Sequence, residues 1–142
     1  METNRPHVAI VENDDAFGAA LDRLLRASGC DTILFPSAEL FLEQARPAEL
    51  DCLVLDIHLP GASGFDLLAT LKRDSWTLPV LLMTADDSGP VRNRAGNSGC
   101  LDFLIKPFDA NLLLDAIRRC LPPSHSSGQY NPSVSPDSQS IP

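Results

Sequence analysis

The sequence predicts an α/β fold, a parallel sheet of five strands with five helices distributed over its two faces. Short apolar segments of strand length alternate along the chain with segments in which apolar residues recur at helical spacing. Four of the strand-like segments end abruptly in polar or charged residues, as strands do at the ligand-binding edge of an open parallel sheet. Regular alternation of strand and helix favours parallel pairing with right-handed crossovers.

In the first half of the chain, we expect three strands and two helices. The strands are predicted at residues 7–11, 32–35 and 52–56. The first helix covers about 15–27, with Asp14 or Asp15 as its N-cap and Gly29 as its terminator. Ser37 is the expected N-cap of the second helix.

In the second half, three helices alternate with two strands. The helices are predicted near Phe65–Leu71, within 86–98 and after an N-cap at Asp109, and the strands at 79–83 and 101–105. The middle helix has a poor composition, since Gly89, Pro90 and Gly96 all disfavour helix. We therefore expect that helix to be short or frayed.

The charge pattern argues against direct nucleic-acid binding. The formal net charge is −8 at pH 7, and the longest basic run is Arg118-Arg119, so no basic stripe is available to neutralise phosphates. No apolar stretch approaches the roughly 20 residues of a membrane span, and residues 1–6 lack a signal core. We expect a cytoplasmic protein without membrane contact.

The folded domain is expected to cover residues 5–121. The remainder, 122–142, is rich in proline and serine and is predicted to be a disordered tail, because it has too few apolar residues to offset the entropy of ordering. Its composition is also that of an interdomain linker. The four cysteines have neither zinc-site nor disulfide-framework spacing, so we expect free thiols, buried at Cys52 and Cys120.

Polar side chains follow the ends of four predicted strands. They are Glu12-Asn13 after the first strand, Asp56 after the third, Thr84 after the fourth and Lys106 after the fifth. Because the carboxyl ends of parallel strands share one edge of the sheet, we expect these side chains to converge on one pocket.

This arrangement resembles the receiver domain of two-component response regulators. The resemblance covers roughly residues 7–121 and rests on motifs in matching order and spacing. They are the acidic position after the first strand, Asp56 with Leu59-Pro60-Gly61 and Gly64, Thr84-Ala85, and Phe103 to Phe108. The resemblance implies a flavodoxin-like, doubly wound sheet of strand order 2-1-3-4-5, as in the chemotaxis receiver.

The resemblance also implies a phospho-acceptor function. Asp56 would take a phosphoryl group from a phosphohistidine on a histidine kinase or a phosphotransfer protein. Lys106 would pair with a phosphoryl oxygen, and the Lys106-Pro107 bond would be cis. The expected ligands of Mg²⁺ are Glu12, Asn13, Asp56 and the backbone carbonyl of His58.

The same resemblance implies a switch rather than a turnover enzyme. Thr84 would move towards the phosphoryl group, and Phe103 would turn into the space that it leaves. Phe103 is equally well explained as an ordinary core aromatic residue. A downstream protein would then read the changed surface of residues 86–121.

One position departs from the family pattern. Receivers carry two adjacent acids after the first strand, whereas this chain has Glu12-Asn13. A neutral amide there predicts weaker Mg²⁺ binding. Asp14 comes one residue later and is better explained as a helix cap.

Two alternatives to a stand-alone switch remain open on the sequence alone, and a third is disfavoured. Asn13 and the poor helix within 86–98 would suit a degenerate receiver that binds partners without phosphorylation. The linker-like tail would suit a receiver fragment of a longer transcriptional regulator. A hydrolase of the haloacid dehalogenase type would need an Asp two residues after its nucleophile, and His58 stands there instead.

Overall fold

A sheet of five parallel strands runs through the computed structural model, which describes residues 5–121. The strands are β1 (His7–Val11), β2 (Asp31–Phe35), β3 (Cys52–Asp56), β4 (Val80–Thr84) and β5 (Asp102–Ile105). The helices of the described residues are α1 (Asp15–Ala27), α2 (Ala38–Gln44), α3 (Gly64–Arg73), α4 (Gly89–Gly96) and α5 (Ala110–Cys120). The strand order is β2-β1-β3-β4-β5, which confirms the flavodoxin-like prediction.

Side-chain caps fix where the helices begin. Asp14, and not Asp15, caps α1, because its carboxylate accepts a hydrogen bond from the backbone N–H of Phe17. Ser63 and Asp66 form a reciprocal capping box at the start of α3. Gly29 lies beyond the end of α1 with φ +100°, a conformation that glycine adopts without steric cost.

The core consists of two apolar layers, one on each face of the sheet. One layer packs α2, α3 and α4 against the sheet, and the other packs α1 and α5 against the opposite face. The central strands β3 and β4 are buried along their whole lengths because both of their faces are covered. In the first layer the ring of Trp76, which follows α3, packs at 5.6 Å from the ring of Phe41 in α2.

Helix α4 is short, as its composition predicts. It has eight residues, and only Ala95 among them is buried. The guanidinium of Arg94 lies 4.3 Å from the centre of the Phe65 ring in α3, which links the exposed side of α4 to its neighbour.

Within residues 5–121, no helix has both the length and the apolar character that crossing a membrane requires. The predicted tail, residues 122–142, lies outside the described residues. The domain boundaries proposed from the sequence therefore stay a prediction.

Candidate functional site

Asp56 occupies the last position of β3, at the carboxyl edge of the sheet, and is only 5% exposed. The backbone beside it is held in place on two sides. The N–H of Ile57 donates to the carbonyl of Met83 at 2.8 Å. Gly64, at the start of α3, approaches so closely that a Cβ there would lie 2.7 Å from the Cα of Ile57. A side chain at position 64 would therefore displace the loop that carries Asp56.

The lysine at the end of β5 joins two buried carboxylates. Lys106 Nζ lies 2.7 Å from Glu12 Oε1 and 3.4 Å from Asp56 Oδ2. The same ammonium lies 4.4 Å from the centre of the Phe17 ring, a cation–π contact. Glu12 and Asp56 thus share one positive charge, with the shorter contact on the glutamate.

The local electrostatics disfavour two ionised acids at this place. Burial and then the neighbouring charge of Glu12 raise the pKa of Asp56 to about 6, while Lys106 and the backbone N–H of His58 act in the opposite direction. Two carboxylates against one ammonium leave an excess of negative charge. A cluster of this kind attracts a cation.

The oxygen atoms at this edge suit a hard cation. Glu12 is buried and Asn13 is exposed, and His58 follows Asp56 by two residues in the chain. Mg²⁺ characteristically takes one or two protein carboxylates and keeps several waters, so Glu12 and Asp56 are enough carboxylate ligands for it. Among residues 5–121, no group of three acidic, histidine or cysteine side chains is arranged to hold a metal. Glu12 and Asp56 therefore suit Mg²⁺. They supply two carboxylates, one fewer than a site in which two adjacent acids accompany Asp56.

Two nearby side chains are occupied in other contacts. The Asp14 carboxylate caps α1 by accepting a hydrogen bond from the backbone N–H of Phe17, and the backbone N–H of Asp14 donates to Glu12 Oε2 at 3.0 Å. The His58 imidazole points outward, with Nε2 3.8 Å from Asp86 Oδ2. Its backbone N–H donates to Asp56 Oδ1 at 3.2 Å.

Thr84 lies on β4, the strand beside the one that carries Asp56, and Phe103 lies on β5, one strand further along the sheet. Thr84 is fully buried at the end of β4, and its hydroxyl oxygen accepts a hydrogen bond from the backbone N–H of Asp86 at 3.0 Å. A hydroxyl that accepts in this way still has its own proton to donate. Phe103 is half-buried on β5 and packs against the layer that contains α4.

Comparison with protein families identifies this arrangement. The family model described as the response regulator receiver domain matches residues 8–118. This chain belongs to the response regulator receiver family. The peptide bond between Lys106 and Pro107 is cis, as the resemblance to receivers implied.

Curated relatives of the receiver are response regulators of bacteria. Nodulation protein W of Bradyrhizobium diazoefficiens is 38% identical over 110 residues, which are 78% of this chain and 48% of that protein. Transcriptional regulatory protein FixJ of Azorhizobium caulinodans is 34% identical over 86% of this chain and 58% of its own length. The chain thus spans about half the length of the curated relatives it matches.

Solved structures agree with the receiver fold. The response regulator StyR has a TM-score of 0.77 and 39% identity over 82% of this chain and 59% of that one. The receiver domain of HemR from Leptospira biflexa, in its non-phosphorylated form, has a TM-score of 0.74 and 28% identity, and the match covers 82% of this chain and 94% of that chain. A chemotaxis protein of Vibrio cholerae, CheY4, is 22% identical with a TM-score of 0.74 over 82% of this chain and 99% of that one, and so supports the fold alone.

The receiver site brings together more residues than the motifs indicated. Glu12, Asp56 and Lys106 meet as expected, but the Phe17 ring below the lysine was not foreseen. Its position in the first turn of a helix that follows β1 was the available signal. Glu39 of α2 was also missed, although its carboxylate accepts the backbone N–H of Ala62 at 2.9 Å and so holds the loop after Asp56. No sequence pattern connects Glu39 with that loop.

Proposed function

We propose that this receiver takes a phosphoryl group onto Asp56 from a phosphohistidine of a histidine kinase or a phosphotransfer protein. The observation that carries the proposal is a buried carboxylate at a strand end with the Lys106 ammonium 3.4 Å away. A transferring phosphoryl group bears negative charge on its equatorial oxygens, so positioning and charge neutralisation are what a protein site has to supply.

The roles of the side chains follow from their positions. A carboxylate oxygen of Asp56 attacks phosphorus, and an O–P bond forms while the P–N bond to the donor histidine breaks. The Lys106 ammonium lies close to the Asp56 carboxylate. It can therefore pair with an oxygen of a phosphoryl group carried by Asp56 and stabilise the negative charge of that group. For this, the lysine weakens its contact with Glu12, which is at present the shorter of its two ion pairs.

Glu12, Asn13, Asp56 and the carbonyl of His58 are the groups that would hold Mg²⁺. When bound, that ion neutralises charge on the transferring oxygens. Because Asn13 supplies a neutral oxygen where related receivers have a carboxylate, we expect the affinity for Mg²⁺ to fall by at least roughly 10–100-fold, the range known for lesser perturbations of metal sites.

The output of the switch would run from Thr84 to the surface of residues 86–121. The hydroxyl of Thr84 donates to a phosphoryl oxygen on Asp56, and Phe103 turns towards the space that Thr84 leaves. Helix α4 then presents a changed face to a downstream protein. The domain acts as a switch that gains and loses one phosphoryl group, and its place in the cytoplasm is part of the same proposal.

Two observations favour variants of this function. Asn13 favours a receiver that binds its partner without phosphorylation, because the site has one acid fewer than the family pattern. The curated relatives are about twice as long as the region that matches this chain, which favours a receiver that forms part of a longer transcriptional regulator. Any contact with DNA would then belong to another domain, since this one has no basic stripe.

The direct test is the intact mass of the full chain after incubation with acetyl phosphate, a small acyl-phosphate donor, at increasing Mg²⁺. We expect the wild type to gain one phosphoryl group, in a reaction that requires Mg²⁺. Asp56→Asn should gain none, while Asp74→Asn, at the far end of α3, serves as the matched control. Asn13→Asp should reach the same yield at a lower Mg²⁺ concentration.

The opposite results separate the alternatives. If the wild type gains nothing at high Mg²⁺ and Asn13→Asp restores the reaction, the native domain works without phosphorylation. If neither protein reacts although both are folded by circular dichroism, Asp56 is not a phospho-acceptor. A gain that persists in Asp56→Asn would place the modification at another residue.

A further inference from the structure

Three of the four cysteines lie in one apolar layer, on the face of the sheet that α1 and α5 cover. They are Cys30 before β2, Cys52 at the start of β3 and Cys120 at the end of α5, and all three are buried free thiols. The fourth, Cys100, packs on the other face of the sheet. Strand starts and the ends of the following helices share the edge opposite Asp56, so these thiols are remote from the site.

Cys52 and Cys120 are in direct contact. Their sulfur atoms are 3.0 Å apart, although 68 positions separate them in the chain. A disulfide requires about 2.05 Å between the sulfurs, so a movement of about 1 Å would join them. One partner is the first residue of a central strand and the other is the last residue of a helix, so a bond between them would join two elements of the core.

We propose that Cys52 and Cys120 are a site of reversible oxidation, at which a peroxide or disulfide oxidant forms an intramolecular disulfide. The proposal is independent of phosphorylation at Asp56. The modification links the C-terminal end of α5 covalently to the start of β3.

The burial of the two thiols sets the order of events. Cys52 is completely buried, and its pKa is raised well above the usual value by its hydrogen bond with Cys120 and by burial, so it stays protonated. Cys120 retains a small exposed fraction and is the sulfur that a small oxidant reaches first.

The reaction with hydrogen peroxide then has two balanced steps. The sulfur of Cys120 attacks one peroxide oxygen, the O–O bond breaks, and a sulfenic acid and one water are formed. The sulfur of Cys52 attacks the sulfur of that sulfenic acid, loses its proton and releases a second water. Each sulfur gives up one electron, and one peroxide is reduced to two waters.

The neighbouring cysteines provide matched controls. Cys30 is close enough for its charge to affect the pKa of Cys52, but the sulfur contact is between Cys52 and Cys120. Cys100 hydrogen-bonds the carbonyl of Ala95 at the end of α4. Neither residue should be required for the disulfide.

The consequence for the fold is a closed loop that contains β3, β4, β5 and all the elements between them. Cross-links that close long loops stabilise the folded state by restricting the unfolded chain. Oxidation should therefore raise the melting temperature by on the order of 10 °C. It should also slow amide exchange in the last turn of α5, because that turn could no longer separate from the sheet.

The experiment is to treat the full chain with hydrogen peroxide or with diamide, quench with an alkylating reagent, and map the peptides without reduction. We expect a loss of two hydrogen atoms in the intact mass, one cross-linked peptide pair containing Cys52 and Cys120, and a higher melting temperature. Dithiothreitol should reverse all three. Cys30→Ser and Cys100→Ser should behave as the wild type does, whereas Cys120→Ser and Cys120→Ala should not form the link.

The peptide map of the wild type decides the matter even if a cysteine variant fails to fold. A cross-link between any other pair, dimers joined through Cys100, or sulfinic acid at Cys120 without a disulfide would overturn the proposal. So would complete resistance of the thiols to oxidant in the folded protein, shown by full alkylation only after denaturation.

Discussion

Helices α3 and α4 cover the same face of the sheet, but they are attached to it very differently. Half of the ten residues of α3 are buried, namely Gly64, Phe65, Leu67, Leu68 and Leu71, and a reciprocal capping box starts the helix. In α4 only Ala95 is buried. Its cap is a single hydrogen bond of 3.4 Å from the backbone N–H of Val91 to the hydroxyl of Ser88.

The difference shows that one helix beside the site is firmly packed, whereas the other is free to rearrange. Helix α3 begins against the backbone of Asp56 and holds that residue in place. Helix α4 follows the loop that begins at Thr84, where the proposed signal leaves the site. Segments with few buried apolar contacts open at a lower free energy than the core does. A structural change that starts at the site should therefore appear in α4 before it appears in α3.

The largest contrast is expected from truncating one apolar side chain in each helix. Leu67→Ala in α3 removes a side chain that is 1% exposed and should lower the free energy of unfolding by about 2–5 kcal/mol. Val91→Ala in α4 should cost about 1 kcal/mol, since Val91 is only half-buried. Urea unfolding measures both, and equal costs would show that α4 is packed as firmly as α3.

A smaller contrast is expected at the N-caps. Ser63→Ala removes the hydroxyl that accepts from Asp66 and should cost about 1 kcal/mol. Ser88→Ala removes the longer and more exposed hydrogen bond and should cost about 0.5 kcal/mol, the lower limit for a cap. Thermal unfolding of the two variants and the wild type shows which variant loses more stability. A larger loss of stability in Ser88→Ala than in Ser63→Ala would contradict the comparison of the two helices.

The smallest effect is a gain. Gly96 ends α4, and a Cβ placed there would meet no atom within 4 Å. Gly96→Ala should therefore stabilise the protein by about 0.4–1 kcal/mol, because alanine restricts the unfolded chain without strain in the folded one. Hydrogen exchange should slow in α4 and stay unchanged in α3. A destabilised variant would show that the glycine serves a purpose other than flexibility.

The parts of the fold that the sequence predicts best are those that depend on local patterns. The limits of α1 at residues 15–27 follow from its apolar spacing, its acidic cap and its terminal glycine. The convergence of Glu12, Asp56 and Lys106 follows from one rule, that parallel strands end at a common edge. Both predictions are confirmed by the positions of the residues.

The parts that could not be predicted depend on which side chains meet across the fold. The sequence assigned Lys106 to the phospho-acceptor, but in the structure its shorter contact is with Glu12. Leu112 belongs to the apolar repeat of α5 and is nevertheless 55% exposed, because α5 turns Leu113 towards the sheet. A spacing pattern specifies a helix face only to within a residue, and it contains no distances between elements.

The contact between Trp76 and Phe41 has a practical consequence for all the unfolding experiments. The chain contains a single tryptophan, which is half-buried and packs on Phe41 of α2 just after the end of α3, against the apolar layer under these two helices. Its indole emission should shift to longer wavelength when water enters that layer, and it should change little when α4 alone rearranges. The protein thus carries an intrinsic optical probe that distinguishes global unfolding from a local rearrangement of α4.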